Sequence, residues 1–151
     1  MMTRFREPLL IFSGLGSVYG MGVRFTDVLL RIVAGGFLIP HGIKKIGGTD
    51  RFAAWLGGSL GMPVPELLAW LVVLVEVVFG ACIVIGLWTR AAALGAIALM
   101  AGIVGFVHWE KGFFITSNGY EYSLMWLIVL LSVFFKGSGA YSVDAMIGKQ
   151  F

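Results

Sequence analysis

The sequence predicts an all-α membrane protein in which four transmembrane helices form an antiparallel bundle behind an N-terminal interfacial arm. Of its 151 residues, 59% are hydrophobic and only 13% are charged, and the mean hydropathy is +0.95. About a quarter of the residues in a soluble domain are charged, so this chain has too few charges to cover a water-facing surface. In addition, the sequence contains four apolar stretches whose lengths are close to the roughly 20 residues that a helix needs to cross a bilayer. Gly- and Pro-rich segments separate them.

The order of the predicted elements follows from these stretches and breaks. Residues 1–24 form the arm, since Gly14, Gly16 and Gly20 interrupt an apolar run that is too short for a cleaved signal peptide. Residues 25–136 form the membrane domain, and residues 137–151 form a cytoplasmic tail. Its helices are predicted at about 25–45, 65–88, 90–109 and 120–136. The amphipathic segment 50–56 is expected to lie in the interface.

The basic residues predict the orientation and exclude one class of partner. Six of them fall on the side of the termini and four on the other side, which places both termini in the cytoplasm by the positive-inside rule. They are Arg4, Arg6, Arg24, Arg90, Lys136 and Lys149 against Lys44, Lys45, Arg51 and Lys111. Since no basic run exists that could follow a phosphate backbone, we do not expect a nucleic-acid partner. The lone Cys82 excludes an internal disulfide.

Glu76 is the most unusual residue, because it lies in the middle of a predicted membrane helix. A charge at the centre of such a helix costs about 2.5–3.5 kcal/mol on insertion scales, so it normally faces a partner or a cavity. We predict Arg31 of the first helix as its partner. The pair would either join the two helices structurally or place a carboxylate that relays a proton beside a bound headgroup.

A second polar group is predicted near the outer ends of the helices. His41 follows Pro40, which is expected to loosen the first helix, while His108 ends the third helix and Glu121 begins the fourth. Antiparallel topology brings these three to similar depth, close to Asn118 and Tyr120. They could form a polar ligand pocket, a metal or bis-His haem site, or an aromatic interfacial belt that binds nothing. No HxxxH or ExxH spacing occurs, so we assign no metal ligands.

Four motifs in order resemble the DoxX family of small four-helix membrane proteins. They are LLRIVAGGFLIPHGIKKIGG, EVVFGACIVIGLWTRAAALG, VHWEKGFF and NGYEYSL. The resemblance implies a four-helix bundle in a prokaryotic cytoplasmic membrane and a link to redox physiology and oxidative stress, since the family is named after the small subunit of a thiosulfate:quinone oxidoreductase. It also singles out Arg31, His41, Lys45, Glu76, His108, Asn118 and Glu121.

We therefore predict a redox-associated membrane subunit that binds a quinone or a similar small ligand, and that is an oxidoreductase component if it is an enzyme. Glu76, His108 and Glu121 are the predicted catalytic residues, and Arg31, His41, Asn118 and Tyr120 are predicted to bind the cofactor. The sequence has no flavin, nicotinamide or iron–sulfur motif, so we expect either a partner protein, such as a soluble redox protein, or a bound cofactor to supply electrons. The alternatives are a non-catalytic membrane scaffold for a soluble redox enzyme and a small-molecule permease that works as a homo-oligomer.

Overall fold

A computed structural model describes residues 12–149, and every regular element within that range is helical. Six helices follow one another along the chain. They are α1 (Gly16–Ile46), α2 (Thr49–Leu60), α3 (Pro65–Ile85), α4 (Thr89–Lys111), α5 (Glu121–Lys136) and α6 (Val143–Ile147). Two short 3₁₀ turns, Ser13–Leu15 and Ile115–Ser117, precede α1 and α5.

The N-terminal boundary of the first helix differs from the predicted one. Helix α1 begins at Gly16 rather than at about residue 25 and continues through Pro40 to Ile46. Its glycines do not interrupt it, because a single glycine costs a helix only about 1 kcal/mol. The first eleven residues of the predicted arm, and with them Arg4 and Arg6, lie outside the described residues.

Local sequence signals fix the remaining helix ends. Pro65 occupies the first turn of α3, where its missing N–H has no intrahelical acceptor to lose. Gly86 ends α3 in a left-handed conformation, with φ of 72°, which a glycine adopts without strain. The three residues 86–88 then connect α3 to α4, so α3 ends three residues before the predicted end at about residue 88.

Helices α1 and α3 pack antiparallel through glycines. Gly35 lies against the backbone of Gly80, and Gly42 lies against Glu76 and Val77. A side chain at either position of α1 would overlap atoms of α3, so these glycines set how closely and in which register the helices meet.

Helices α4 and α5 also run antiparallel. The Arg90 side chain near the start of α4 donates a 3.2 Å hydrogen bond to the carbonyl of Phe134 near the end of α5. Helices α1 and α4 each contact both α3 and α5, so α3 and α5 lie on opposite sides of the assembly. All four helices contribute buried residues to one hydrophobic cluster, which includes Ala34, Ile83, Ala93 and Leu130.

Two helices, α3 and α4, are long and apolar enough to cross a membrane. Within residues 12–149, α1 and α5 do not meet the same combination of length, hydropathy and low charge. Helix α5 has 16 residues, which is about 24 Å of helix, and α1 carries several charged residues. The structure therefore supports two spans directly, and the four predicted spans stay a prediction.

The C-terminal tail folds back onto the α3–α4 turn. Asp144 of α6 is 1% exposed, and its carboxylate accepts hydrogen bonds from the Trp88 N–H, the Thr89 N–H and the Thr89 hydroxyl at 2.8, 3.2 and 3.1 Å. A carboxylate at this place satisfies the free N–H groups at the start of α4 and the positive end of its dipole. The tail is thus part of the folded domain.

Candidate functional site

A central cavity of about 220 Å³ lies between α1, α3, α4 and α5. Its polar lining consists of side chains that can hold or exchange protons, and its walls are aromatic and aliphatic. The polar residues are His41, Lys45, Glu76, His108, Tyr122 and Ser123, and the apolar ones are Ala34, Phe37, Leu38, Met100, Ile103, Trp126 and Leu130.

A lateral groove of about 600 Å³ adjoins the central cavity between α2, α3 and α4. Most of its lining is apolar, from Phe52 and Trp55 of α2 to Leu99 and Phe106 of α4. Four residues line both spaces, namely Lys45, Glu76, Ile103 and His108. The groove thus has one polar end, and that end is the wall of the central cavity.

Lys45 is the partner of Glu76. The Nζ of Lys45 lies 2.6 Å from both carboxylate oxygens, and the side chain of Glu76 is 4% exposed against 25% for Lys45. Lys45 also stands 5.4 Å from the centre of the Phe52 ring of α2. The buried charge is therefore paired, as the cost of an isolated charge requires.

The prediction of Arg31 as that partner is wrong. In the antiparallel packing of α1 on α3, Gly42 is the residue opposite Glu76, whereas Arg31 lies against Gly86. Gly86 follows Glu76 by ten positions, which is about 15 Å along the helix axis. Lys45 lies one turn beyond Gly42 and reaches the carboxylate instead.

Arg31 belongs to the opposite end of the molecule, so the structure does not bring it together with the other predicted site residues. It is 2% exposed, and its Nη2 donates a hydrogen bond to the carbonyl of Tyr141 in the tail. The carboxylates of Asp144 and Asp27 supply compensating negative charge, with the larger effect from Asp144. These contacts tie α1 to the tail.

Helical irregularities place Glu76 and His108 at the cavity. Helix α3 widens into a π-helical segment at Val75–Phe79, and α4 does so at Ile103–His108. Such segments are rare and occur frequently at functional sites, because they turn side chains away from the regular helical face. Two of them in neighbouring helices, each carrying a predicted catalytic residue, converge on one wall.

His108 has a defined hydrogen bond on one ring nitrogen. Its Nδ1 lies 2.6 Å from the backbone carbonyl of Asn118. A carbonyl only accepts, so Nδ1 carries the proton and donates it. In the neutral ring, Nε2 is then left as a hydrogen-bond acceptor. His108 can therefore receive a proton from a group in the cavity.

His41 also lines the central cavity, on the α1 side. Its imidazole makes no hydrogen bond to any residue within 12–149. Pro40 has no N–H, so the carbonyl of Gly36, one turn earlier, lacks its usual helical partner, although the backbone stays helical. The two histidines thus share one cavity, which agrees with their predicted similar depth. Glu76, which was predicted in a separate group with Arg31, lines the same cavity, and Glu121 does not.

Glu121, Asn118 and Tyr120 build the loop that holds His108 and do not line either cavity. Glu121 accepts a 3.0 Å hydrogen bond from the Ile115 N–H. Asn118 adopts a left-handed conformation, with φ of 59°, and orients His108 through its carbonyl. Tyr120 stacks on Trp109 with ring centroids 5.2 Å apart. Their roles as catalytic or ligand-binding groups stay predictions.

Sequence reasoning did not select the α5 side of the cavity. Tyr122 and Trp126 are one turn apart on α5, with ring centroids 6.1 Å apart, and Phe37 of α1 lies 5.4 Å from Trp126. Ser123 lies on the same wall and is 6% exposed. In the sequence, Ser123 stands out only as a serine among large apolar residues. This pattern does not show whether its side chain faces the interior of the bundle.

Metal binding has little support from the side-chain arrangement. Over residues 12–149, no group of three or more His, Cys, Asp or Glu side chains is placed to hold an ion. His41, His108 and Glu76 line the same cavity, but the carboxylate is held by Lys45. The donor set of this cavity suits an organic ligand with hydrogen-bonding oxygens better than a cation.

Comparisons with known proteins agree with the resemblance seen in the sequence. A sequence model of the DoxX family matches residues 26–109. Two Haemophilus influenzae proteins described as uncharacterized are similar to the chain. One is 33% identical over 124 residues, covering 80% of this chain and 90% of that protein. The other is 26% identical over 136 residues, covering 87% and 89%.

An uncharacterized membrane protein of Mycobacterium tuberculosis is 26% identical over 134 residues, which cover 82% of each chain. No solved structure is significantly similar to this chain.

Proposed function

The chain belongs to the DoxX family of membrane proteins, and from this premise we propose that it binds a quinone-type ligand in the central cavity and serves as a redox-associated membrane subunit. The observation that supports this proposal is that the two spaces adjoin at Lys45, Glu76 and His108, which line both of them. A quinone has a planar headgroup with protonatable oxygens and a long apolar tail, and each of these parts has a matching space.

The central cavity suits the headgroup. Ligand sites typically combine apolar walls with a few placed polar groups, and here Phe37, Trp126 and Tyr122 supply aromatic walls. Lys45 offers a charged donor, while His108 offers Nε2. Lys45 would donate to a quinone carbonyl oxygen, and Nε2 of His108 would accept a hydrogen bond from the hydroxyl that forms when the quinone is reduced.

The lateral groove suits the tail. Its apolar lining faces the region where lipid chains lie in a membrane protein, so a ligand would enter sideways from the bilayer. Phe52 and Trp55 of α2, whose rings stack with centroids 5.8 Å apart, lie along this route.

The proposal includes four membrane spans, formed by α1, α3, α4 and α5, in a prokaryotic cytoplasmic membrane. The antiparallel contacts of these helices support it, and so does the bacterial origin of the similar proteins. Both termini would be cytoplasmic, with Arg24, Arg90 and Lys136 at that end. A soluble redox protein would supply the electrons.

The test is quinone extraction from detergent-purified protein, made alongside an absorption spectrum and metal analysis. We expect quinone in stoichiometric amount with the wild-type chain and its loss from the His41→Ala/His108→Ala double variant. The matched control is Lys44→Ala/Glu110→Ala, because both residues are exposed near the same end and line neither space.

Equal quinone in the double variant and the control would refute the site. A ligand-free wild-type preparation that also fails to take up added quinone would refute the function and favour the scaffold. A haem band or stoichiometric metal that disappears with the histidines would replace the quinone by a metal centre.

A further inference from the structure

Ser123 is a largely buried residue whose hydroxyl has no protein partner within residues 12–149. It is 6% exposed, it lines the central cavity, and within residues 12–149 its hydroxyl makes no hydrogen bond. The buried hydroxyls of Thr49, Thr89 and Ser142, by contrast, are all hydrogen-bonded. Within residues 12–149 the fully buried polar side-chain atoms without a partner are Nε and Nη1 of Arg31, so the Ser123 hydroxyl keeps some open surface. That surface faces a space that a ligand can fill.

The position of Ser123 relative to the charged pair is equally informative. Ser123 is on α5 and Glu76 is on α3, and these helices lie on opposite sides of the assembly. The cavity therefore presents hydrogen-bonding groups at two opposite walls, with the aromatic rings of Phe37 and Trp126 between α1 and α5.

We propose that Ser123 is a ligand-binding residue that donates a hydrogen bond to a second ligand oxygen, opposite the oxygen that Lys45 holds. The ligand class then narrows to planar rings with oxygens at opposite edges, as in para-quinones. This inference rests on the proposed function. It adds Ser123 as a further ligand-binding residue and a preference for para-quinones.

The experiment measures binding of a short-chain para-quinone, and of an analogue of the same ring with one carbonyl, by equilibrium dialysis against detergent-purified protein. The variants are Ser123→Ala and Ser123→Thr. Ser132→Ala is the matched control, since Ser132 is on the same helix and lines neither space. A second variant, Ser123→Cys, keeps the side-chain size and weakens the donor.

We expect Ser123→Ala to weaken para-quinone binding about 2- to 12-fold, the range that one net hydrogen bond provides. Ser123→Cys should weaken it in the same direction, while Ser123→Thr and Ser132→Ala should stay near the wild-type affinity. The one-carbonyl analogue should bind wild type and Ser123→Ala equally, because its single oxygen occupies the charged side.

Three outcomes would overturn the inference. Equal para-quinone affinity of wild type, Ser123→Ala and Ser123→Cys would show that the hydroxyl meets solvent only, and the proposed function would survive. If Ser123→Ala weakened the binding of the para-quinone and of the one-carbonyl analogue equally, Ser123 would affect the shape of the cavity and would not bind the second oxygen. Absence of quinone binding to the wild-type chain would remove the proposed function and this inference together.

Discussion

The pairing of Lys45 with Glu76 makes a quantitative prediction about stability. Lys45→Met removes the positive charge but keeps an apolar stem of similar length, so it leaves the buried carboxylate uncompensated. Breaking a buried pair in this way costs about 3–5 kcal/mol. We expect about 3 kcal/mol, the lower end, because the Lys45 side chain is 25% exposed and water can approach it.

Removing both charges should restore most of the loss. Replacement of a buried ion pair by apolar side chains is often neutral or stabilising. The free energy of unfolding of Lys45→Met/Glu76→Leu should therefore be within about 1 kcal/mol of the wild-type value, or higher. The measurement is reversible unfolding in mixed micelles, followed by helical circular dichroism, for both single variants and the double variant.

The control for this cycle is Lys44→Met, an exposed neighbour that should change the free energy of unfolding by less than about 0.5 kcal/mol. Additive effects of the two single variants would refute the pairing, because coupled residues deviate from additivity by about 0.5–3 kcal/mol. A Lys45→Met variant as stable as Lys44→Met would refute it as well.

Two further predictions concern packing and the tail. Gly35→Ala should destabilise the protein by about 1–3 kcal/mol through overpacking, since a Cβ there would overlap the Gly80 carbonyl. Gly36→Ala, whose Cβ meets open space, should be neutral or slightly stabilising, and equal melting temperatures for the two variants would contradict the α1–α3 register. Asp144→Ala should lower the free energy of unfolding by about 2–3 kcal/mol, as expected for hydrogen bonds to a charged group. The control Glu110→Ala should leave it almost unchanged. Equal values for the two variants in the same unfolding assay would show that the tail does not cap α4.

Much of the architecture follows from the sequence because its signals are local. Low charge content and long apolar stretches indicate a membrane protein, and the DoxX resemblance is confirmed by the family match over residues 26–109. Pro65 begins α3 at the predicted residue, whereas Gly86 ends it after Ile85, three residues before the predicted end at about residue 88. The start of α1 was missed because scattered glycines look like breaks, although a helix tolerates them singly.

Part of the site was also predictable, for energetic reasons. Glu76, His41 and His108 were selected because polar groups in apolar helices require compensation, and the structure places all three on one cavity. Asn118, Tyr120 and Glu121 were selected by proximity in the sequence. The structure places them in the loop that supports His108, a distinction that proximity alone cannot make.

What the sequence determined by itself is the helical class, the membrane setting and the polar residues that must find partners. The tertiary structure decided which partners they find: Lys45 rather than Arg31 for Glu76, Tyr141 for Arg31 and Asp144 for the start of α4. Helical periodicity defines the faces of each helix but leaves its register against the next one open. That register is set where backbones meet at Gly35, Gly42 and Gly80, since close packing there fixes which side chains stand opposite each other.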